Sequence, residues 1–177
     1  SMFSWEGTDY EVTGWIRNLG QEDGETFHWD EFLLFSETGG YMWLELSDGH
    51  VSLGRRINDG PAFGSPGEAG SSVDYDGSHF RVVEVGRGVI HWVEGELPWI
   101  AQKGDSFVYL DAAKAPYRLG GEWTEHETEW FISEYLTREE LTKCLSSHPA
   151  LGLKEGVAAH QPYSRGATQV AVMSFIF

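Results

Sequence analysis

The chain has 177 residues, of which 28 are Asp or Glu and 12 are Lys or Arg, so the formal net charge is −16. A negative field of this size repels phosphate and anionic lipid, which argues against nucleic-acid binding and direct membrane insertion and favours cationic partners. The single cysteine, Cys144, excludes an intrachain disulfide, and the short acidic N-terminus has no signal-peptide pattern, so we expect a cytoplasmic protein. The many Gly and aromatic residues favour strands and tight turns over helices.

Apolar and polar residues alternate with a period of two in the first third of the chain, which predicts antiparallel strands. The first strand is expected from Tyr10 to about Ile16, the second from Phe27 to Phe35, and two more at 41–46 and 50–53. Asp48-Gly49 separates the last two and is typical of a two-residue hairpin turn.

After residue 57 the sequence "NDGPAFGSPGEAGSS" at 58–72 indicates a linker or a long loop. Strands then resume at 79–85, 89–95, 97–102, 107–110 and 126–136. We expect Gly86-Arg87-Gly88 to turn the chain between the first two of these. One helix is predicted over 137–147, because Thr137 and Glu140 form a capping box, and Cys144 is expected to pack on it.

A weak internal repeat accompanies this pattern. "EGTDYEV" at 6–12 and "DGSHFRV" at 76–82 share an acid, Gly, an aromatic residue and Val at the same spacing, and a His-Trp-x-Glu segment follows each, at 28–31 and 91–94. We therefore predict an all-β single domain, 1–177, built of antiparallel meanders in two related small lobes, 1–57 and 73–136. The lobes are expected to close into barrels or a sandwich, with one short C-terminal helix.

The repeated Trp-x-Glu segments raise a chemical question, because a carboxylate on an apolar strand face must be paired or lie at an edge. One hypothesis makes Glu31 and Glu94 a pair facing a shared groove, where they act in acid–base chemistry or hold a cation. The other, which we favour, is that each accepts hydrogen bonds from the backbone or from an indole N–H at a sheet rim. Most of four tryptophans are expected to be buried: Trp29, Trp43, Trp92 and Trp99.

Other acidic stretches point to cations more weakly. Trp99 with the nearby Glu96 has the chemistry to contact an organic cation, and Glu125, Glu127 and Glu129 share one strand face that either binds calcium or is solvated. No stretch directs three acids and an aromatic to one point, so we expect diffuse, salt-sensitive cation binding. The chain lacks nucleotide-loop, serine-hydrolase and zinc-site motifs, and we predict no cofactor.

The order of several motifs carries a resemblance. "WDEFLL", "VEGELPW", "EWFISEYL" and "GVAAHQP" come in an order that resembles the bacterial domain-of-unknown-function family DUF4178 over about residues 10–162. The resemblance implies no established catalytic or binding residues. It also implies a genomic setting beside a spermidine-synthase-like protein and small membrane proteins, with transmembrane segments after the domain in some members.

From these observations we predict a non-enzymatic binding or adaptor module that serves a protein partner associated with a membrane. The alternatives are a protein that binds a polyamine or calcium, and an enzyme such as a hydrolase with paired carboxylates. The candidate ligand-binding residues are Trp29, Glu31, Glu94, Glu96 and Trp99, and no catalytic or metal-binding residue is assigned.

Overall fold

The structure, a computed structural model, describes residues 2–22, 24–61 and 67–145. These residues form ten strands and one helix. The elements are β1 (Met2–Trp5), β2 (Thr8–Glu22), β3 (Glu25–Ser36), β4 (Gly40–Ser47), β5 (His50–Ile57), β6 (Ser72–Tyr75), β7 (Ser78–Gly95), β8 (Ser106–Lys114), β9 (Tyr117–Trp123), β10 (Thr128–Leu136) and α1 (Arg138–Cys144). Among the described residues, no helix is long and apolar enough to cross a membrane.

Eight of the strands close into one antiparallel barrel in the order β2-β3-β4-β5-β10-β9-β8-β7, with β7 pairing back onto β2. The remaining two strands, β1 and β6, form hairpins with the first residues of β2 and β7. The all-β class and the C-terminal helix are therefore confirmed. Two related lobes are not confirmed, because the two halves of the chain share one ring.

The hairpin turns follow the Asp-Gly signal. Asp48-Gly49 turns between β4 and β5 with φ of 47° and 76°, a left-handed conformation that Gly adopts without cost. The segments at 6–12 and 76–82 both contain such a turn, one at Glu6-Gly7 and the other at Asp76-Gly77. The His-Trp-x-Glu segments, however, lie in β3 and in β7, which do not occupy corresponding positions in the ring.

Two local predictions are wrong. Gly86 to Gly88 do not turn the chain, because β7 continues through them as a single long strand. Residues 97–102 form no strand but part of the connection between β7 and β8. β1, β6 and β9 were not predicted, because short edge strands and a Gly-rich strand carry little apolar alternation. The 58–72 stretch has no regular structure at 58–61 and 67–71, and 62–66 lie outside the described residues.

One face of the strands packs into two separate apolar clusters. The first cluster joins β1, α1, the β2–β5 strands and the end of β10, and it contains Phe3, Tyr10, Leu34, Met42, Val51, Leu53, Leu136, Leu141 and Cys144. The second cluster joins β6 to β10 and contains Val73, Phe80, Val82, Leu110, Ala112, Leu119 and Trp130.

The capping box begins α1 as predicted, and burial raises the pKa of the Cys144 thiol, which packs rather than reacts.

Candidate functional site

The opposite face of the strands lines a cavity of about 750 Å³ enclosed by the ring, here called the lumen. Side chains from β3, β4, β5, β7, β8, β9 and β10 contribute to its wall, as the alternation of strand residues requires. Exposed residues at the start of β3 and at the β4–β5 turn also line it, among them Thr26, His28 and Asp48. The lumen therefore reaches the protein surface at that end.

Trp29 and Glu31 lie together in the wall of the lumen. The Trp29 indole N–H donates to Glu31 Oε1 at 2.8 Å, and the Asn18 amide donates to the same oxygen at 3.0 Å. Trp29 is 7 % exposed and packs on the rings of Phe27, Phe107 and Tyr109. The carboxylate on the apolar face of β3 is thus accommodated by hydrogen bonds inside the protein, and not at a sheet rim.

Among the described residues, Arg118 on β9 supplies the one guanidinium of the lumen. It donates to Asp111 at 2.8 and 2.6 Å and pairs with Glu45 at 2.5 Å, so it joins β9 to β8 and to β4 across the ring. All three side chains are largely buried, and charge-assisted hydrogen bonds of this kind are strong in a low-dielectric interior. Arg118 therefore compensates two of the acids.

Two further carboxylates, Glu31 and Glu122, make no contact with a cationic side chain among the described residues within salt-bridge distance. Burial, and then the nearby Glu45, raise the pKa of Glu31 to about 7. Burial, and then the charge of Glu31, raise the pKa of Glu122 well above its usual range. The two acids thus penalise each other's ionised form, which is the behaviour of neighbouring carboxylates in a shared site.

The predicted site residues separate into two groups. Trp29 and Glu31 line the lumen, whereas Glu94 and Glu96 are exposed at and beyond the end of β7. The hypothesis of a Glu31–Glu94 pair is therefore wrong, because the two carboxylates lie on different sides of the barrel wall. Trp99 lies in the connection after β7 and stacks on Trp43, a lumen residue, at 5.9 Å between ring centroids.

The expected burial of the tryptophans also needs correction. Trp29 is buried and Trp43 is partly buried, but Trp92 is 49 % exposed and Trp99 is 39 % exposed. The acids at 125–129 do not share one strand face, because β10 begins only at Thr128. Glu125 and Glu127 are solvated, while Glu129 pairs with Arg56 at 2.7 Å.

Sequence reasoning missed most charged residues of the lumen, among them Glu45, Asp111, Arg118 and Glu122. A signal for two of them exists. Glu45 follows Trp43 by two residues and Asp111 follows Tyr109 by two residues, the same aromatic-x-acid spacing as in Trp29-x-Glu31. No single stretch directs three acids and an aromatic to one point, but strand pairing brings acids from four different strands to the wall of the lumen.

The arrangement has the chemistry to bind an organic cation. Among the described residues, no three Asp, Glu, His or Cys side chains are placed to hold one metal ion. The wall instead combines carboxylates with the faces of Trp29, Trp43 and Tyr109. Carboxylates and aromatic faces together bind ammonium groups through charge-assisted hydrogen bonds and cation–π contacts.

No match for the chain was found among curated proteins or among solved structures. The family model described as "Domain of unknown function (DUF4178)" matches residues 1–138, which include the ten described strands and therefore the whole eight-stranded barrel. The chain therefore belongs to the DUF4178 family.

Proposed function

We propose that this barrel is a ligand-binding module that takes an organic cation into its lumen. The observation that carries the proposal is the pair of carboxylates, Glu31 and Glu122, which form no salt bridge with any described residue and line a cavity rich in aromatic rings. A primary or secondary ammonium group supplies the missing charge and several N–H donors. Polyamines belong to this chemical class.

The location of the acids predicts how the binding responds to salt. Charges on an open surface are screened over about 8 Å at physiological ionic strength, so a diffuse acidic surface loses its ligand there. A cation inside the lumen lies close to partly desolvated carboxylates and beside the Trp29 ring, where a cation–π contact contributes roughly 2 kcal/mol. We therefore expect binding that is stoichiometric and that resists salt, in place of the diffuse binding expected from the sequence.

Calorimetry with spermidine and with butylamine, at low and at 150 mM salt, tests the proposal. We expect one site per chain, with affinity that falls at least tenfold in Glu122→Gln and in Glu31→Gln. The matched control is Glu94→Gln, which removes an exposed acid of the same His-Trp-x-Glu sequence and should bind as the wild type does. Weak heats that disappear at 150 mM salt, or equal losses in all three variants, would contradict a lumen site.

A second candidate function is the adaptor role, and one exposed surface favours it. Residues 92–100, here called the 92–100 patch, present Ile100 at 86 % exposure together with Trp92 and Trp99. Exposed large apolar side chains are typical of contact surfaces, and Glu94 and Glu96 beside them favour a partner with basic residues. A partner associated with a membrane stays a prediction.

A pull-down from the native host, membrane fractions included, tests the adaptor role. The wild type is compared with Trp92→Ser/Ile100→Ser and with Tyr117→Ser, a control that removes an exposed aromatic residue from the β8–β9 hairpin. A protein retained by the wild type and the control but lost with the double variant supports the role. A protein retained equally by all three chains argues against the 92–100 patch.

We also infer that the two halves of the ring arose by duplication. In support, β2 and β7 each follow a short edge strand through a left-handed turn, and each has a pairing irregularity just after the matched valine, Val12 or Val82. Superposing the β2–β5 and β7–β10 strands of an experimental structure tests the inference. A poor fit of the backbone would overturn it.

A further inference from the structure

We propose that the lumen exchanges protons for its cation: in the empty barrel Glu31 and Glu122 carry protons, and the bound cation displaces them. This inference rests on the proposed function. It adds a consequence that cation binding alone does not require, namely that ligand uptake and proton release are one coupled event.

The first argument is a count of charge in the interior. Glu31, Glu45, Asp111 and Glu122 contribute to one wall, and Arg118 is the guanidinium among them. If all four acids were ionised, the group would hold a net charge of −3, that is, four negative charges less one positive charge. Unpaired charge in a partly desolvated site is costly, so the interior takes up a counter-charge, and a proton is the one always available.

The second argument comes from the hydrogen bonds around Glu31. Both described donors, Trp29 and Asn18, reach Oε1, which leaves Oε2 as the oxygen that can carry a proton. Asn18 Oδ1 is buried and has no hydrogen-bond donor among the described residues. A protonated Glu31 adds an O–H donor to the surroundings of this oxygen, whereas an ionised carboxylate has no donor to offer.

Charged and titratable groups from the surrounding strands bear on both acids. On the cavity wall or in electrostatic contact with it lie Glu25, His28, Asp30, Glu45, Asp48, Glu84, Tyr109, Asp111, Arg118, Glu129 and Tyr135. β2 contributes the neutral Asn18 and β5 the neutral Ser52. The acids outnumber the cations, and Arg118 is already paired with Asp111 and Glu45. The surroundings therefore favour protonation of Glu31 and Glu122.

The raised pKa values agree with this geometry. The pKa of Glu31 is about 7, so at neutral pH Glu31 is about half protonated, and burial with the charge of Glu31 raises the pKa of Glu122 well above its usual range. An ammonium group between them favours both ionised forms and lowers both pKa values. Binding should then release about one proton and should strengthen as the pH rises from 6 to 8.

Calorimetry with 1,4-diaminobutane at pH 7 in phosphate and in Tris measures the exchange, because a released proton adds the ionisation heat of the buffer. We expect observed enthalpies that differ between the buffers by about one proton equivalent in the wild type and in the Glu94→Gln control. In Glu122→Gln and Glu31→Gln the difference should fall by half or more. Far-ultraviolet circular dichroism and unfolding midpoints verify that each variant is folded.

The two proposals fail in different ways. Tight binding with the same heat in both buffers would overturn the proton exchange and leave the cation site standing. Absence of binding by 1,4-diaminobutane, butylamine and spermidine would overturn both. A pH titration of carboxyl carbon resonances in the ligand-free protein adds an independent check, because a Glu31 midpoint near 4.5 would also overturn the exchange.

Discussion

The His-Trp-x-Glu pattern occurs in two strands of this barrel, and its Trp and Glu side chains face opposite sides of the wall in the two strands. In Trp29-Asp30-Glu31 on β3, the indole donates to the carboxylate at 2.8 Å within the lumen, and Trp29 is 7 % exposed. In Trp92-Val93-Glu94 on β7, the corresponding contact is 3.4 Å and lies on the outside, with Trp92 49 % exposed. The local sequence determines that Trp and Glu meet two residues apart. It does not determine which side of the wall they face.

An irregular pairing between β2 and β7 accounts for the difference. Asn18 pairs with Ile90, but Arg17 pairs with Trp92, so His91 is an extra residue on β7. An extra residue reverses the inward and outward alternation beyond it. Ile90 therefore packs beside Trp29, while Trp92 faces the same side as the partly exposed Arg17. One bulge thus separates a lumen residue from a surface residue.

The largest expected effect in this comparison is on stability. Trp29→Ala removes a buried ring that packs on Phe27, Phe107 and Tyr109, and it should lower the free energy of unfolding by about 3–5 kcal/mol. Trp92→Ala should change it by less than about 1 kcal/mol, because half of that ring is already in water. Urea denaturation of both variants measures the contrast. Equal midpoints would show that the bulge does not place the two rings on different sides.

The next effect concerns pH. Glu31 binds its proton more tightly in the folded state, with a pKa of about 7, than in the unfolded state, so its contribution to stability is complete below about pH 4.5 and is lost as the pH rises through 7. The loss attributable to Glu31 is on the order of 3 kcal/mol. Glu31→Gln should therefore show a shallower fall of the free energy of unfolding between pH 5 and 8.

Glu94→Gln is the matched control for that measurement, since its side chain is exposed on the outer surface. Its stability should follow the wild type across the same pH range. The prediction would be contradicted if the free energy of unfolding of the wild type did not change with pH while that of Glu94→Gln did.

A smaller effect is expected at two glycines that face the interior. A Cβ at Gly88 would come within 2.5 Å of the Phe107 ring and 3.0 Å of the Trp29 ring, so Gly88→Ala should destabilise the fold by about 1–3 kcal/mol. A Cβ at Gly120 meets its nearest neighbour, Asp111, at 3.8 Å, an ordinary contact. Gly120→Ala should therefore unfold near the wild-type midpoint. If both variants unfold alike, the rings under Gly88 are not packed as described.

The features of this structure that the sequence predicts are those that depend on residues close together in the chain. Alternation predicts β3 and β10, Asp48-Gly49 predicts its hairpin, and Thr137 with Glu140 predicts the start of α1. The candidate site is predictable only as far as Trp29 and Glu31. Arg118 meets Glu45 because β9 and β4 lie across the ring from each other, and no local pattern records that. No local sequence pattern marks the bulge at His91 either. The alternation of strand residues, which places Trp29 and Glu31 correctly, therefore wrongly places Trp92 and Glu94 inside.

The ring closes at two seams, β2 with β7 and β5 with β10, and this has a consequence for how the protein folds. Ile16 pairs with Val93 at one seam and Leu53 with Glu134 at the other, so each seam joins strands from opposite halves of the chain. Such distant pairings carry a large loop-closure entropy and make folding slow, in the range of milliseconds to seconds. The lumen has no wall until both seams have formed. A cation that needs the lumen therefore recognises only the completed ring, and it should slow unfolding far more than it speeds folding.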